Sequence, residues 1–535
     1  MDFRMGKNNV WVAGKLILVF FFALFFLCPL ILILMKALES GQALSFISII
    51  FDNSRLLWNS FYQAFLSTLV SVLIGVPAAF LVARRDFKGK KILKSLALIP
   101  FVFPSILVVL SFIIIFGNNG WINNLLQVLG IQKIQFLYGF TGIILAHSFY
   151  NFPLIMRFVS DSWEKLDRDL KDAAKTLGAN KLQVFFRITL PRLMPAILSS
   201  AALVFIFTFM SFTIVITLGG IMFTTFETEI YRQITRNLNF ELAAVLSVFQ
   251  FLLLAGVIFV YQKFAGHFIV REKGVFEKPK KIKFFSSQGV VEAGTLLMII
   301  LFIALPLLSL IVFAFVDASS GELSLRAFEK IFSGTKSLTG TTATQSIFFS
   351  LLIGLFSSLI AVTIGLLAAL KKTAVKGLGF VLSASLGLSA ITLGFGFYLG
   401  FGTGLLWTII IGHSLIAFPF TFRIISNALN KIDDETIESA KTLGANDFEV
   451  LKKIQIPKIK NSLLTALIFG FAVSLGELGF ILVLYDGVYA TMPVYIFRLL
   501  STFDLAAATA MGLILVTISF LSFYSIDSLS NEAVF

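Results

Sequence analysis

Few side chains in this sequence are equipped for covalent chemistry. There is one cysteine, Cys28, and there are three histidines, His147, His267 and His413. A lone thiol forms no intramolecular disulfide, and no Cys–His set has the spacing of a metal centre. No Gly-x-x-x-x-Gly-Lys-Ser/Thr run occurs, so the chain has no phosphate-binding loop of its own. The expectation is no catalytic constellation and no metal site. Two features of another kind remain. The run Ala174-Lys175-Thr176-Leu177-Gly178-Ala179-Asn180 returns unchanged as Ala440-Lys441-Thr442-Leu443-Gly444-Ala445-Asn446, 266 positions later. And a carboxylate, Glu477, stands inside the apolar run Ser474-Leu475-Gly476-Glu477-Leu478-Gly479. A polar surface kept in two copies suits docking. A carboxylate among apolar residues suits contact with a cation or a hydrogen-bond donor.

The elements that position these residues follow from composition. Of 535 residues, 58% are apolar and 13% are charged. A soluble domain carries about 25% charged residues, so a water-soluble enzyme is excluded. A membrane-crossing helix needs about 20 mostly apolar residues. Twelve stretches qualify: roughly 15–38, 58–83, 93–116, 138–159, 193–217, 241–264, 289–315, 345–370, 377–401, 404–427, 462–485 and 505–528. They are too long for β-barrel strands. The first follows Arg4, Lys7 and Lys15, but its long core and lack of a small-x-small site predict a retained helix with a buried, unreactive Cys28. Placing the N-terminus inside puts 34 of the 43 Lys and Arg residues on the inner segments and 8 on the outer ones. Both termini are therefore expected in the cytoplasm. The net charge of +14 marks the inner face and calls for no nucleic-acid partner.

The 266-residue offset also pairs His147-Ser148 with His413-Ser414, Pro153 with Pro419, Arg157 with Arg423 and Pro191 with Pro457. The chain is thus a duplication, expected to be all-α. Two parallel sets of six spans are related by an axis near the membrane normal. The first domain is 1–270, a basic linker with Pro and Gly occupies 271–288, and the second domain is 289–535. Each repeated run lies in a cytoplasmic loop between fourth and fifth spans, about 160–191 and 426–457. Leu166, Leu170, Ala173 or Ala174, and Leu177 recur at helical spacing and predict one helix over 164–177 with a single apolar stripe. Asp433, Asp434 and Glu435 suit the start of its counterpart. Gly178 and Gly444 stop these helices, and Asn180 and Asn446 start second ones that end before Pro191 and Pro457.

Asp172-Ala173-Ala174-Lys175-Thr176-Leu177-Gly178-Ala179 and Glu438-Ser439-Ala440-Lys441-Thr442-Leu443-Gly444-Ala445, each followed by a proline, resemble the coupling-loop motif of type I ABC importer permeases. Both halves carry it, so the likeness covers nearly the whole chain. Ser439 departs from the usual small apolar residue and is still small. The resemblance implies that Asp172, Ala173, Ala174, Leu177, Gly178, Ala179, Glu438, Ala440, Leu443, Gly444 and Ala445 dock an ATPase subunit. It implies two copies of that subunit, which hydrolyse ATP with Mg, no cofactor on this chain, and a location in the bacterial inner membrane.

Under the same offset Glu477 corresponds to Ser211, and both are expected to line the substrate path. Local unwinding at the glycines beside Glu477 would suit a gate. His147 and His413 suit an architectural hydrogen bond, and Gly396-x-x-x-Gly400 suits close helix packing. Outer segments 225–231 and 492–498 suit docking of an extracytoplasmic substrate-binding protein. With the Ser-Leu-Gly-Glu-Leu-Gly run they resemble fused permeases of thiamine importers. Fused ferric-iron permeases share the twelve-span plan, and phosphonates, polyamines and oxyanions stay open as cargo. An ion-coupled secondary transporter is the rival class, but it would leave the twin cytoplasmic motif without a purpose. A membrane-embedded enzyme lacks the Asp, His and Cys for a site.

Overall fold

The computed structural model of the chain describes residues 2–39, 51–90, 93, 103–167, 169–220, 223–265, 279–282, 286–316, 321–333, 340–370 and 387–529. In hydrocarbon every backbone polar group needs an internal partner, and the described chain meets that need with helices. Helix α1 (Asp2–Phe22) passes through a π-turn at Ala23–Leu27 into α2 (Cys28–Glu39). Helix α3 (Ser54–Arg84) runs into the two-residue strand β1 (Arg85–Asp86). Then come α4 (Ser105–Phe116), α5 (Trp121–Val128) and the long α6 (Phe140–Glu164). Short α7 (Asp169–Thr176) and α8 (Lys181–Val184) lead through a π-turn at Phe185–Thr189 into α9 (Leu190–Phe209). Helices α10 (Thr213–Leu218), α11 (Phe226–Thr235) and α12 (Phe240–Ala265) follow.

Strand β2 (Lys280–Lys281) pairs in parallel with β1, Arg85 opposite Lys280. The second half continues with α13 (Ser287–Phe315), α14 (Arg326–Phe332), α15 (Ala343–Ala369), α16 (Ala390–Phe401) and α17 (Leu406–Leu429). Its α18 (Asp434–Thr442), α19 (Asp447–Val450), π-turn at Leu451–Gln455, α20 (Ile456–Lys458) and α21 (Lys460–Gly476) repeat the order of the first half. Helices α22 (Gly479–Leu484), α23 (Met492–Ser501) and α24 (Leu505–Leu529) complete it. Among the described residues ten helices are long and apolar enough to cross a membrane, and the bent pair Asp447–Lys458 and Lys460–Gly476 makes eleven. The ninth expected span, 377–401, is described only from residue 387, and the third, 93–116, continuously only from residue 103. Most of the expected linker, 271–278 and 283–285, lies outside the described residues.

Two local expectations need correction. Residues 164–177 do not form one helix: α6 ends at Glu164 and α7 starts at Asp169. The Asp167 carboxylate accepts from the Asp169 N–H at 2.9 Å, which breaks the helix and starts the next. Nor does Pro191 stop a helix. Proline removes one donor, but the π-turn shifts the register so that the Leu190 N–H donates to the Phe185 carbonyl, and Pro191 enters α9 in its first turn, where no N–H is needed. In the second half the same device ends in a 71° bend before Lys460.

The contacts sort the chain into two compact units. One holds Met1–Phe46, Ile230–Phe251 and Ser324–Phe535; the other holds Ile47–Glu229 and Leu252–Leu323. Each unit thus takes the opening helix of the other sequence half. Helix α13 packs on α4 and α3, and its Ile299 and Ile303 join Phe152, Ile155, Val159, Leu193 and Ile197 in one buried core. The Phe302 ring meets Phe149 edge-on at 5.5 Å. At the end of α3, Arg85 Nε donates to Glu292 Oε2 of α13 at 2.8 Å. In the other unit α2 lies on α16, where a Cβ on Gly396 would come within 2.7 Å of Pro29 and one on Gly400 within 3.0 Å of Leu32. The Gly-x-x-x-Gly pair is therefore a packing surface.

Lipid tails are as apolar as leucine, so membrane helices associate through close fit rather than water exclusion. Buried small residues on α3, namely Ser60, Ala64, Ser67, Ser71, Gly75 and Ala78, supply that fit. A Cβ on Gly75 would stand 2.6 Å from Ile155 Cβ and 2.9 Å from the Phe152 carbonyl, and neither can swing aside. Gly75→Ala is expected to cost about 1–3 kcal/mol, read as a lower melting temperature in nanodiscs. Gly256→Ala meets nothing within 4 Å and should leave it unchanged or higher. Equal melting of Gly75→Ala and the parent would remove α3–α6 contact as the packing constraint.

Candidate functional site: twin docking loops and two broken helices

The two candidate docking loops are built alike from the backbone up. Asp169 and Asp172 sit in the first turn of α7, Asp434 and Glu435 in that of α18, where the helix dipole favours negative charge. Lys175 and Lys441 occupy the last turns. The Gly178 N–H donates to the Lys175 carbonyl at 2.9 Å and the Ala179 N–H to the Ala174 carbonyl at 3.0 Å. The second half repeats both bonds at the same lengths, Gly444 to Lys441 and Ala445 to Ala440. This closure requires a left-handed residue, and Gly178 and Gly444 have φ of +87° and +90°. Asn180 then caps α8: its side chain accepts from the Gln183 N–H, and Gln183 accepts from the Asn180 N–H, each at 2.9 Å. Asn446 and Glu449 form the matching box on α19.

Rigid ends leave the helix faces open. Neither α7 nor α18 has a buried residue. Leu177 is 89% exposed and Leu443 is 88% exposed. Their surroundings are short-range polar contacts, such as Lys175 Nζ to Asp172 at 3.0 Å, and Lys441 Nζ to Asp447 at 3.1 Å. Ala173 and Glu438 also face outward, while Asp172, Ala174, Ala179, Ala440 and Ala445 are half-buried. The geometry is a pair of braced helices, each offering one leucine beside a left-handed glycine.

The path candidates lie at two helix interruptions. Helix α9 stops at Phe209 and α10 starts at Thr213, with Ser211 between. Helix α21 stops at Gly476 and α22 starts at Gly479, with Glu477 between. The two breaks are 266 or 267 residues apart, so the interruption itself is duplicated. Backbone groups freed by a break need partners. In the first half the Gln63 amide donates to the Thr208 carbonyl at 2.8 Å. His147 Nε2 and the Ser211 hydroxyl share a hydrogen bond of 2.7 Å, and Nδ1 and the Ser67 hydroxyl one of 3.2 Å. One buried imidazole thus ties α3 and α6 to the break.

The second half uses other chemistry on the same scaffold. Glu477 is extended (φ −76°, ψ 127°), and its Oε1 accepts from the Phe480 N–H at 3.0 Å, capping α22. His413 Nδ1 and the Ser474 hydroxyl share a hydrogen bond of 2.8 Å. Buried His413 Nε2 has no hydrogen-bond partner among the described residues. The Phe480 ring lies 5.9 Å from His413, edge-on. It fits only because Gly412 has no side chain: a Cβ there would meet the ring at 1.9 Å. Ser67, Gln63 and Ser474 were not singled out from the sequence. Their signal was available, since Ser60, Gln63, Ser67 and Ser71 form a polar row at helical spacing within an apolar span.

Sequence comparisons agree with this duplicated plan. The family model described as binding-protein-dependent transport system inner membrane component matches twice, over residues 71–267 and 361–532. The chain is 25% identical over 491 residues to the thiamine transport system permease protein ThiP of Escherichia coli, covering 89% of each. It is 26% identical over 480 residues to ThiP of Haemophilus influenzae, covering 85% of each. A shorter match, 36% over 126 residues, links 24% of this chain to 43% of the sulfate transport system permease protein CysW of Synechococcus elongatus. With a family match in each half, together spanning most of the sequence, the chain belongs to the inner membrane components of binding-protein-dependent transport systems.

Proposed function

We propose that this permease imports thiamine or a related organic cation by alternating access, driven by two copies of a separate ABC ATPase subunit. An extracytoplasmic binding protein delivers the solute, and both termini lie in the cytoplasm. The observation that carries the coupling half of the proposal is the pair of braced helices α7 and α18, neither with a buried residue, followed by the outward Leu177 and Leu443. Two equal surfaces in one chain suit two equal partners. Thiamine as cargo is supported by the names of the relatives that match nearly the whole chain, and by a carboxylate at the α21–α22 break. Nothing favours ferric iron in the same way: among the described residues no three of His, Cys, Asp and Glu stand together to hold a metal. Uptake of labelled thiamine into proteoliposomes tests the proposal. It should require the ATPase subunits, ATP and the binding protein, whereas uptake by the chain alone on a proton or sodium gradient would refute it.

Docking is separable from folding at these loops. Leu177→Ser with Leu443→Ser removes only exposed apolar surface. The melting temperature should hold while affinity for the ATPase subunit falls about tenfold or more. Gly178→Val and Gly444→Val meet open space but carry left-handed strain of about 1–2 kcal/mol each. They should misplace the loops and uncouple ATP hydrolysis from transport. Normal subunit binding and stimulation in both sets of variants would show that the loops do not couple.

The cap made by Glu477 favours a second, purely structural role for that residue. Glu477→Gln separates the two roles, because an amide oxygen still accepts from the Phe480 N–H while the charge is gone. If the charge meets the cargo, thiamine transport should fall about tenfold, the scale of a charge-assisted hydrogen bond, with the melting temperature held. Full transport by Glu477→Gln would leave Glu477 as a helix cap only.

A further inference from the structure

Only two described residues other than glycine have positive φ, Leu238 at +54° and Phe503 at +59°. They occupy equivalent places. Leu238 follows α11 and Phe503 follows α23. The Asn239 N–H reaches back to the Gln233 carbonyl at 2.9 Å, and the Asp504 N–H to the Leu499 carbonyl at 3.0 Å. The next residue then starts the following helix: Asn239 Oδ1 accepts from the Leu242 N–H at 3.0 Å, and Asp504 Oδ1 from the Ala507 N–H at 3.2 Å. Both side chains point outward, Leu238 64% exposed and Phe503 89% exposed.

Each position carries two avoidable costs, a left-handed backbone that disfavours a Cβ and a large apolar side chain left in the open. Glycine would remove both. The chain does place glycine where a helix end needs only the turn, at Gly178 and Gly444. At the end of α11 and of α23 it instead keeps a large apolar side chain, in both halves. We propose that Leu238 and Phe503 are paired apolar knobs for the soluble substrate-binding protein, each seating in an apolar recess of that partner. The inference rests on the import reading above. It commits to that partner because the family is binding-protein-dependent and because the knobs lie one span beyond the docking loops, at the opposite end of α9–α10 and of α21–α22. The neighbours Asn237, Asn239, Thr502 and Asp504 are polar, and Asp504 pairs with Lys330 at 2.6 Å, which suits a hydrated interface over burial in lipid.

The test uses the whole transporter, with its ATPase subunits, in nanodiscs, and its cognate binding protein loaded with thiamine. Leu238→Gly with Phe503→Gly should hold or raise the melting temperature and leave basal ATPase activity unchanged. Binding-protein affinity should weaken about tenfold or more, and stimulated ATPase activity should fall with it. Leu238→Ala with Phe503→Ala keeps the strained backbone, loses the knobs, and should show the same loss. A parent transporter that responds to the binding protein, with variants that respond equally, would overturn the knobs alone. A parent that never responds would overturn the import reading and the knobs together. Unchanged affinity with a melting temperature that newly depends on lipid headgroup would assign both side chains to the bilayer and refute the proposal.

Discussion

In hydrocarbon an unpaired N–H or C=O has no water to turn to, and this constraint governs where the chain is regular and where it is not. Long helices meet it cheaply. An interrupted helix meets it only where side chains or neighbouring segments accept the freed groups. Both interruptions of the fifth span in each half are provided for in this way. Gln63 accepts the task at the end of α9, and the Glu477 carboxylate does so at the start of α22. Broken helices are costly, so their presence at matched positions in both halves marks the place where the protein departs from simple spanning. The dense small-residue packing of α3 against α6 holds such a break in register, because the Ser67–His147–Ser211 chain depends on those two helices staying close.

Duplication has kept geometry and released chemistry. The repeated loops match closely in their hydrogen bonds, down to the Gly178 and Gly444 closures. The two helix breaks have diverged instead. There the first half presents a hydroxyl linked to an imidazole, and the second a carboxylate with an imidazole nitrogen left over.

Much of this was legible in residues. Apolar run length reveals the spans because the bilayer thickness is a fixed ruler. The 266-residue repeat and the glycine after Leu177 and Leu443 announce braced helices, because a left-handed closure all but demands glycine. The glycines around Glu477 likewise signal unwinding. The break at Met210-Ser211-Phe212 has no glycine or proline and leaves no local sign. Pro191 reads as a stop, yet a π-turn absorbs it, since register is a property of the whole preceding turn. Leu238 and Phe503 are invisible as left-handed residues, because their residue types argue against it. And which helix packs with which depends on surfaces that apolar length does not encode; hence Ile299 and Ile303 of α13 in the core of α3, α6 and α9.

That last exchange bears on how the polypeptide is made. The unit containing Ile47–Glu229 is finished once synthesis passes Leu323. The other unit needs both the first helices made and the last. Helices α1 and α2 therefore enter the bilayer early and wait, unpartnered by their final neighbours, until α15, α16 and α17 emerge. Order of manufacture and order of assembly run crosswise. A cut in the segment between the halves would not release two self-sufficient pieces: each fragment would carry the other's opening helix, and neither would hold a complete core until they met.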